Sequence, residues 1–326
     1  MQFIARTKTW FTFSIVLTVI SIFGFLAFGF NFGLDFTGGT LLEIKFENKQ
    51  VEKDKLSSAL VEIANNIKTE VVKIPADTKE GVAIETEERD IDIGTPVILS
   101  AGEGFIIRIK HIDETTHAKI LQELKTKFGT LEEIRFTAIG PVIGATLKTK
   151  AVTALVVAMI AIVLYIAFAF RKVPKRVSAW RFGLCAVVAL MHDAVVTIGF
   201  YVFLSKFFGA EIDGLFVTAL LTIIGFSVHD TIVVFDRIRE NLKYQKREES
   251  FGDIADASLN QTVARSINTS FTALLTLTAL ALFGSESVFF FAVTLIFGIS
   301  IGTYSSIFIA APLLSWWQQR RPVSVN

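Results

Sequence analysis

With 326 residues, 52% of them hydrophobic, and a mean hydropathy of +0.55, the chain falls outside the ordinary soluble domains. Its formal net charge of +1 says nothing about partners, because the charges are segregated along the chain. The single cysteine, Cys185, rules out an intramolecular disulfide and a cysteine-built metal site.

The first apolar stretch runs from Trp10 to Phe30. It is long enough to cross a bilayer core, which needs about 20 residues. Ala27-Phe28-Gly29 loosely resembles a cleavage site, but the apolar run exceeds a usual signal core, so the segment is predicted to be an uncleaved anchor. Asn31–Thr40 (NFGLDFTGGT) follows, with Gly33, Gly38 and Gly39 around Asp35. Glycine permits sharp turns and close backbone approach. No Lys-Ser or Lys-Thr helix start follows, which argues against a phosphate-cradling loop. The stretch reads as a rigid joint between the first span and the domain beyond it.

From 31 to 148 the composition is that of a water-soluble domain. Thr40–Phe46 alternates as a strand does, and Asp54–Asn66 carries Leu56, Leu60, Ile63 and Ile67 at helical spacing. Val71–Ile74 and Phe105–Lys110 read as the second and third strands. Thr115–Phe128 is a second helix with Ile120, Leu121, Leu124 and Phe128 on one face, and Glu133–Ile143 is a final strand. The order β-α-β-β-α-β predicts an α+β, ferredoxin-like domain. An acidic insertion at 75–104 (Asp77, Glu80, Glu85, Glu87, Glu88, Asp90, Asp92) interrupts it and reads as a solvated loop with room for a small hairpin.

Five further spans follow: Ala151–Phe170, Leu184–Leu204, Leu215–Phe235, Ile267–Phe283 and Val288–Ser315. The fifth of the six is short unless extended at its start, and a tight turn at Gly284–Ser287 joins it to the last. Lysine and arginine set the orientation. Arg6 and Lys8, the Arg171–Arg181 loop, Arg237–Arg247 and Arg320-Arg321 fall on one side, so both termini are predicted cytoplasmic. The fold class predicted is an α-helical polytopic membrane protein with six transmembrane helices and one ferredoxin-like extracytoplasmic domain between helices 1 and 2. The divisions are 1–30, 31–148, 149–315 and a cytoplasmic tail at 316–326. Lys243–Asp256 is predicted to lie on the membrane as an amphipathic helix.

Within the spans, a charged residue costs about 2.5–3.5 kcal/mol to insert and is seldom without a use. Asp230, beside His229, sits within the fourth span, and Arg265 near the start of the fifth. At 1.5 Å of rise per residue the two are expected at similar depth. Pairing and unpairing them would link protonation to helix movement. His192 and Asp193 sit midway along the third span and are either a second relay pair or a hydrogen-bonded structural pair. A sodium ion in place of a proton would want oxygen ligands near Asp230, with Ser227, Thr231 and Thr222 as candidates. An intramembrane zinc hydrolase is disfavoured, because adjacent His and Asp point about 100° apart on a helix and no His-Glu-x-x-His spacing is present. Gly298 and Gly302 form a GxxxG that favours close helix packing, and could serve a partner subunit.

Four stretches together carry a resemblance: NFGLDFTGGT at 31–40, GPVIGATLKTKAV at 140–152, GFSVHDTIVVFDRIREN at 225–241, and SLNQTVARSINTSFTALLTLTALALFG at 258–284. With the six-span layout they make the chain resemble the SecF family of the SecD–SecF membrane complex, within the resistance-nodulation-division superfamily, over essentially its whole length. The resemblance implies a non-enzymatic export subunit of the bacterial inner membrane, driven by the proton motive force and needing no cofactor or metal. It implies SecD as partner, action beside the SecYEG channel, often with YajC and indirectly with SecA, and translocating preprotein as substrate. It also implies proton conduction by Asp230 and Arg265. The acidic insertion matches no part of the family pattern. A small-molecule or lipid exporter of the same superfamily is the alternative, disfavoured by the short chain and its one outer domain.

Overall fold

A computed structural model describes residues 2–47, 51–73, 85–101, 104–172, 179–244 and 249–319. In chain order the elements are α1 (Thr7–Phe28), the short α2 (Leu34–Thr37), β1 (Gly39–Phe46), α3 (Lys53–Asn66), β2 (Lys68–Lys73), β3 (Glu85–Asp90), β4 (Val97–Ala101), β5 (Gly104–Ile109), α4 (Glu114–Phe128) and β6 (Leu131–Ile139). There follow α5 (Pro141–Ala169), α6 (Ala179–Phe208), α7 (Gly214–Asn241), α8 (Phe251–Phe283), α9 (Glu286–Ser305) and α10 (Ala311–Gln319). The chain divides into two compact units, residues 33–149 and residues 1–32 with 150–326.

In the first unit, four strands form an antiparallel sheet in the order β4-β5-β1-β6. The core is apolar: Leu42 and Ile44 of β1, Leu56, Leu60 and Ile63 of α3, Ile98 of β4, Ile107 of β5, and Ile120 and Leu124 of α4. Asp113 caps α4, accepting from the Thr116 N–H at 3.1 Å and the Thr115 hydroxyl at 2.6 Å. These bonds favour the charged form and hold the Asp113 carboxyl below the usual range. The left-handed Gly38 (φ 69°) and Gly39 (φ 125°) turn α2 into β1. A Cβ on Gly38 would lie 2.9 Å from Pro141 Cα, and one on Gly144 would lie 2.9 Å from Gly38 N, so this turn packs directly on the first turn of α5.

One strand differs from expectation. The segment read as the second strand falls largely in β2, with Ile74 outside the described residues. β2 pairs with β3 in a separate two-stranded sheet. The edge position beside β5 goes to β4, drawn from the stretch expected to be a solvated loop. There β4 inserts Ile98, which is 2% exposed, into the core of the sheet.

Among the described residues six helices are long and apolar enough to cross a membrane: Ile4–Phe28, Pro141–Ala169, Ala179–Phe208, Gly214–Tyr244, Phe251–Phe283 and Ser287–Gln318. Large apolar side chains such as Phe23, Leu26, Leu164 and Phe283 point outward. Serines, threonines and two aspartates line the interior. Cys185 is fully buried in α6.

The fifth span is longer than expected. No separate amphipathic helix covers Lys243–Asp256: α7 closes in a short 3-10 turn at Leu242–Tyr244, residues 245–248 lie outside the described set, and Phe251–Asp256 opens α8. Ser250 and Asp253 form a reciprocal capping box there, and Ile254, Ala255, Ser258, Leu259 and Thr262 continue the inward stripe. Asp256 in turn accepts the backbone N–H groups of Phe3 (2.7 Å) and Ile4 (3.0 Å), fastening the start of the first span.

The last span is interrupted. Between α9 and α10 lies a π-turn, Ser306–Ala310. Pro312 explains it, since proline offers no N–H to the carbonyl of Phe308 and its ring crowds that group. Gly298 and Gly302 face α7 within the chain. A Cβ on Gly298 would lie 2.2 Å from Ile223 Cδ1, and one on Gly302 would lie 3.0 Å from Ser227 Cβ.

Candidate functional site

The helical interior holds two carboxylates in different circumstances. Asp193 of α6 is wholly buried. Its Oδ1 lies 2.9 Å from His192 Nδ1. Its Oδ2 accepts from the hydroxyls of Ser227 on α7 and Ser305 at the end of α9, each at 2.5 Å. Three helices therefore converge on one carboxylate, and the approach of α9 depends on Gly302 lacking a side chain above Ser227. His192 Nε2 is buried without a hydrogen-bond partner among the described residues.

Asp230 of α7 is 3% exposed. It lies against Ser266 of α8 and Thr303 of α9. Its Oδ2 has no hydrogen-bond partner among the described residues, and neither has Ser266 Oγ, although both are buried. The Thr303 hydroxyl is engaged elsewhere, 2.5 Å from Ser270 Oγ and 3.0 Å from the Ile299 carbonyl. A buried carboxylate oxygen left without a partner is costly and rare in folded proteins, which marks Asp230 as a candidate functional group.

The other expected residues fall into place unevenly. Arg265 does not pair with Asp230: α8 turns Ser266 inward and leaves Arg265 exposed, with no ion pair between them. Arg265 and Ser266 are neighbours on α8 and point about 100° apart. His229 is likewise exposed beside the buried Asp230. The suggested oxygen shell around Asp230 is redistributed. Ser227 serves Asp193, Thr231 lies 2.9 Å from Ser306 Oγ, and the exposed Thr222 bonds back to the Thr218 carbonyl. Gly33 and Asp35 open α2, and Gly38 and Gly39 close it. Ser266, Thr303, Ser305 and Ser306 went unnoticed in the sequence. Their only signal is small hydroxyl residues recurring three or four apart in otherwise apolar helices. Among the described residues no group of three or more His, Cys, Asp or Glu comes together.

The chain is similar to known proteins. Residues 119–320 match the protein export membrane protein SecD/SecF C-terminal family, and residues 23–50 match the SecD/SecF GG motif. The protein translocase subunit SecF of Thermobaculum terrenum is 42% identical over 307 residues, covering 94% of this chain and 90% of that protein. The SecF subunit of Sebaldella termitidis is 37% identical over 96% of this chain and 91% of its own. The crystal structure of SecDF from Thermus thermophilus, described as a translocon-associated membrane protein, superposes with a TM-score of 0.74 at 29% identity. It covers 98% of this chain, which spans only 39% of the SecDF chain.

Proposed function

Since the chain belongs to the SecD/SecF family of protein export membrane proteins, we propose that it is a SecF-type subunit that uses the proton motive force to assist Sec-dependent export, with Asp230 as the proton-carrying group. The observation that carries this reading is the buried, under-bonded carboxylate of Asp230. Taking or losing a proton there changes a charge inside apolar surroundings, beside Ser266 of α8 and Thr303 of α9. One charge crossing the membrane potential is worth about 2.3 kcal/mol per 100 mV, enough to bias helix packing.

In this reading Arg265 meets Asp230 only when α8 rotates by about one residue, roughly 100°. That rotation is the helix movement linked to protonation. His192, Asp193 and His229 are the remaining relay candidates. The partner is SecD, consistent with a solved relative that carries further chain beyond this region. The pair would act beside SecYEG, with YajC and, indirectly, SecA. The unit at 33–149 is a ferredoxin-like extracytoplasmic domain that holds and releases emerging preprotein. Its glycine turn on Pro141 and Gly144 passes motion of α5 to the sheet. Both termini are cytoplasmic in the inner membrane, and the chain performs no covalent chemistry on its substrate.

The test is export of a reporter preprotein in cells carrying Asp230→Asn, with SecD present and assembly verified. Asparagine keeps the size and cannot cycle a proton. Loss of export, together with loss of proton-gradient dependence, is the expected outcome. Full export by the assembled variant would sink the assignment to Asp230.

A further inference from the structure

The two carboxylates are joined by one short segment of the last span. Ser305 donates to Asp193. Ser306 lies 2.9 Å from Thr231, the neighbour of Asp230. Thr303 lies against Asp230 itself. Gly302 presents no side chain to Ser227, the other donor to Asp193, and its carbonyl accepts from Ser306 at 2.9 Å. Residues 302–306 thus touch both acids or their immediate neighbours. The π-turn begins at the end of that segment, at Ser306. A π-turn is a locally widened helix with weakened i to i−4 bonding, and such turns recur at functional positions.

Building on the reading of Asp230 as the proton carrier, we infer that Gly302–Ser306, backed by the π-turn, couples Asp193 to Asp230, with Ser305 and Ser306 as positioning residues. The chain of reasoning is local. An ionised Asp193 accepts two hydroxyl hydrogens on Oδ2, while a protonated carboxyl cannot keep both of these acceptor bonds at full strength. Releasing Ser305 frees the end of α9, and the widened turn behind it absorbs the displacement. Ser306 then transmits it to Thr231 and Thr303 transmits it to Asp230. The groups facing Asp193 are His192 from α6 and the hydroxyls of Ser227 and Ser305 from α7 and α9. Those facing Asp230 are His229 from its own helix, Ser266 from α8 and Thr303 from α9.

Infrared difference spectroscopy on the assembled complex in membranes tests this. The carboxyl band lost in Asp230→Asn identifies Asp230, and its intensity is followed against pH. Asp193→Asn is expected to move the midpoint of that band by about half a pH unit or more, the size usual for residues sharing a hydrogen-bond network. In a Ser305→Ala, Ser306→Ala background the same substitution should move it by less than half as much. Ser227→Ala removes a donor from Asp193 without touching the turn, so it should leave the coupling in place. Should the double variant fail to assemble, Ser306→Ala alone must still weaken the shift. An unchanged midpoint in Asp193→Asn, an undiminished shift without the two serines, or an Asp230 band that does not titrate overturns the inference. Export by Asp230→Asn judges the proposed function separately, since the spectra do not depend on transport.

Discussion

The two units of the molecule are built inside out from one another. In the unit at 33–149 the interior is leucine, isoleucine and phenylalanine, and charge covers the surface. In the helical unit Leu26 (75% exposed) and Phe283 (87%) face outward, while Ser227, Ser305, Asp193 and Asp230 are buried. The same chain chemistry therefore serves two solvents. Water drives apolar side chains together in the first unit. A hydrocarbon surround gives no such drive in the second, so close backbone approach at small residues and hydrogen bonds between helices hold it. Among the described residues the first unit buries only a few polar side chains, Thr40, Thr116 and His117, whereas the second buries many.

The comparison breaks most visibly if a methylene-rich core residue can be removed from the αβ unit without consequence. Leu124→Ala should cost about 2–5 kcal/mol, seen as roughly thirtyfold or greater acceleration of hydrogen exchange in β1 and β5 amides. A change confined to α4 would mean that the core is not shared. Next in size is Gly298→Val. It forces side-chain atoms into Ile223 and should cost about 1–3 kcal/mol by overpacking, read as a lower unfolding temperature of the purified assembly. No change would show that the α7–α9 contact is loose.

Smaller, and specific to the water-facing unit, is the cap at Asp113. Asp113→Ala should cost about 1 kcal/mol and speed exchange in the first turn of α4. Because its folded pKa is depressed, the cap's contribution is present above the unfolded value of about 3.9. It fades as pH falls through the lower folded value. Wild-type and variant exchange rates in α4 should therefore converge in acid. Smallest is Thr197→Val. Thr197 is fully buried and its hydroxyl has no hydrogen-bond partner among the described residues. An isosteric apolar side chain should leave stability unchanged or raise it by under about 1 kcal/mol. A clear loss would reveal a hydrogen-bonding role for that hydroxyl and sharpen the claim that the interior is built on such bonds.

Much of this was legible in the sequence where the signal is local. Spans announce themselves by length, and the helices of the αβ unit by a three-to-four-residue apolar rhythm. What escaped needed long-range information. Val71–Ile74 and Val97–Ala101 are equally plausible short strands, and only the pairing partner decides which joins β5. Asp230 was visible as a charge in an apolar run. Its lack of an Arg265 partner depends on a rotation of one residue about α8, which no one-dimensional pattern reports. The node on Asp193 assembles residues separated by 34 and 112 positions, so the carboxylate could be flagged but its ligands could not. The start of α8 was hidden because its first turns are polar, and the capping box at Ser250 outweighed that polarity.

The lone thiol of this chain has a practical consequence. Cys185 is enclosed within α6, which leaves the rest of the molecule free of competing sulfur chemistry. A pair of cysteines, one placed on a solvent-facing position of α4 and the other at the end of α7, would take up spin labels or dyes on the native background. Interprobe distances recorded with and without a proton gradient would then test whether the αβ unit moves.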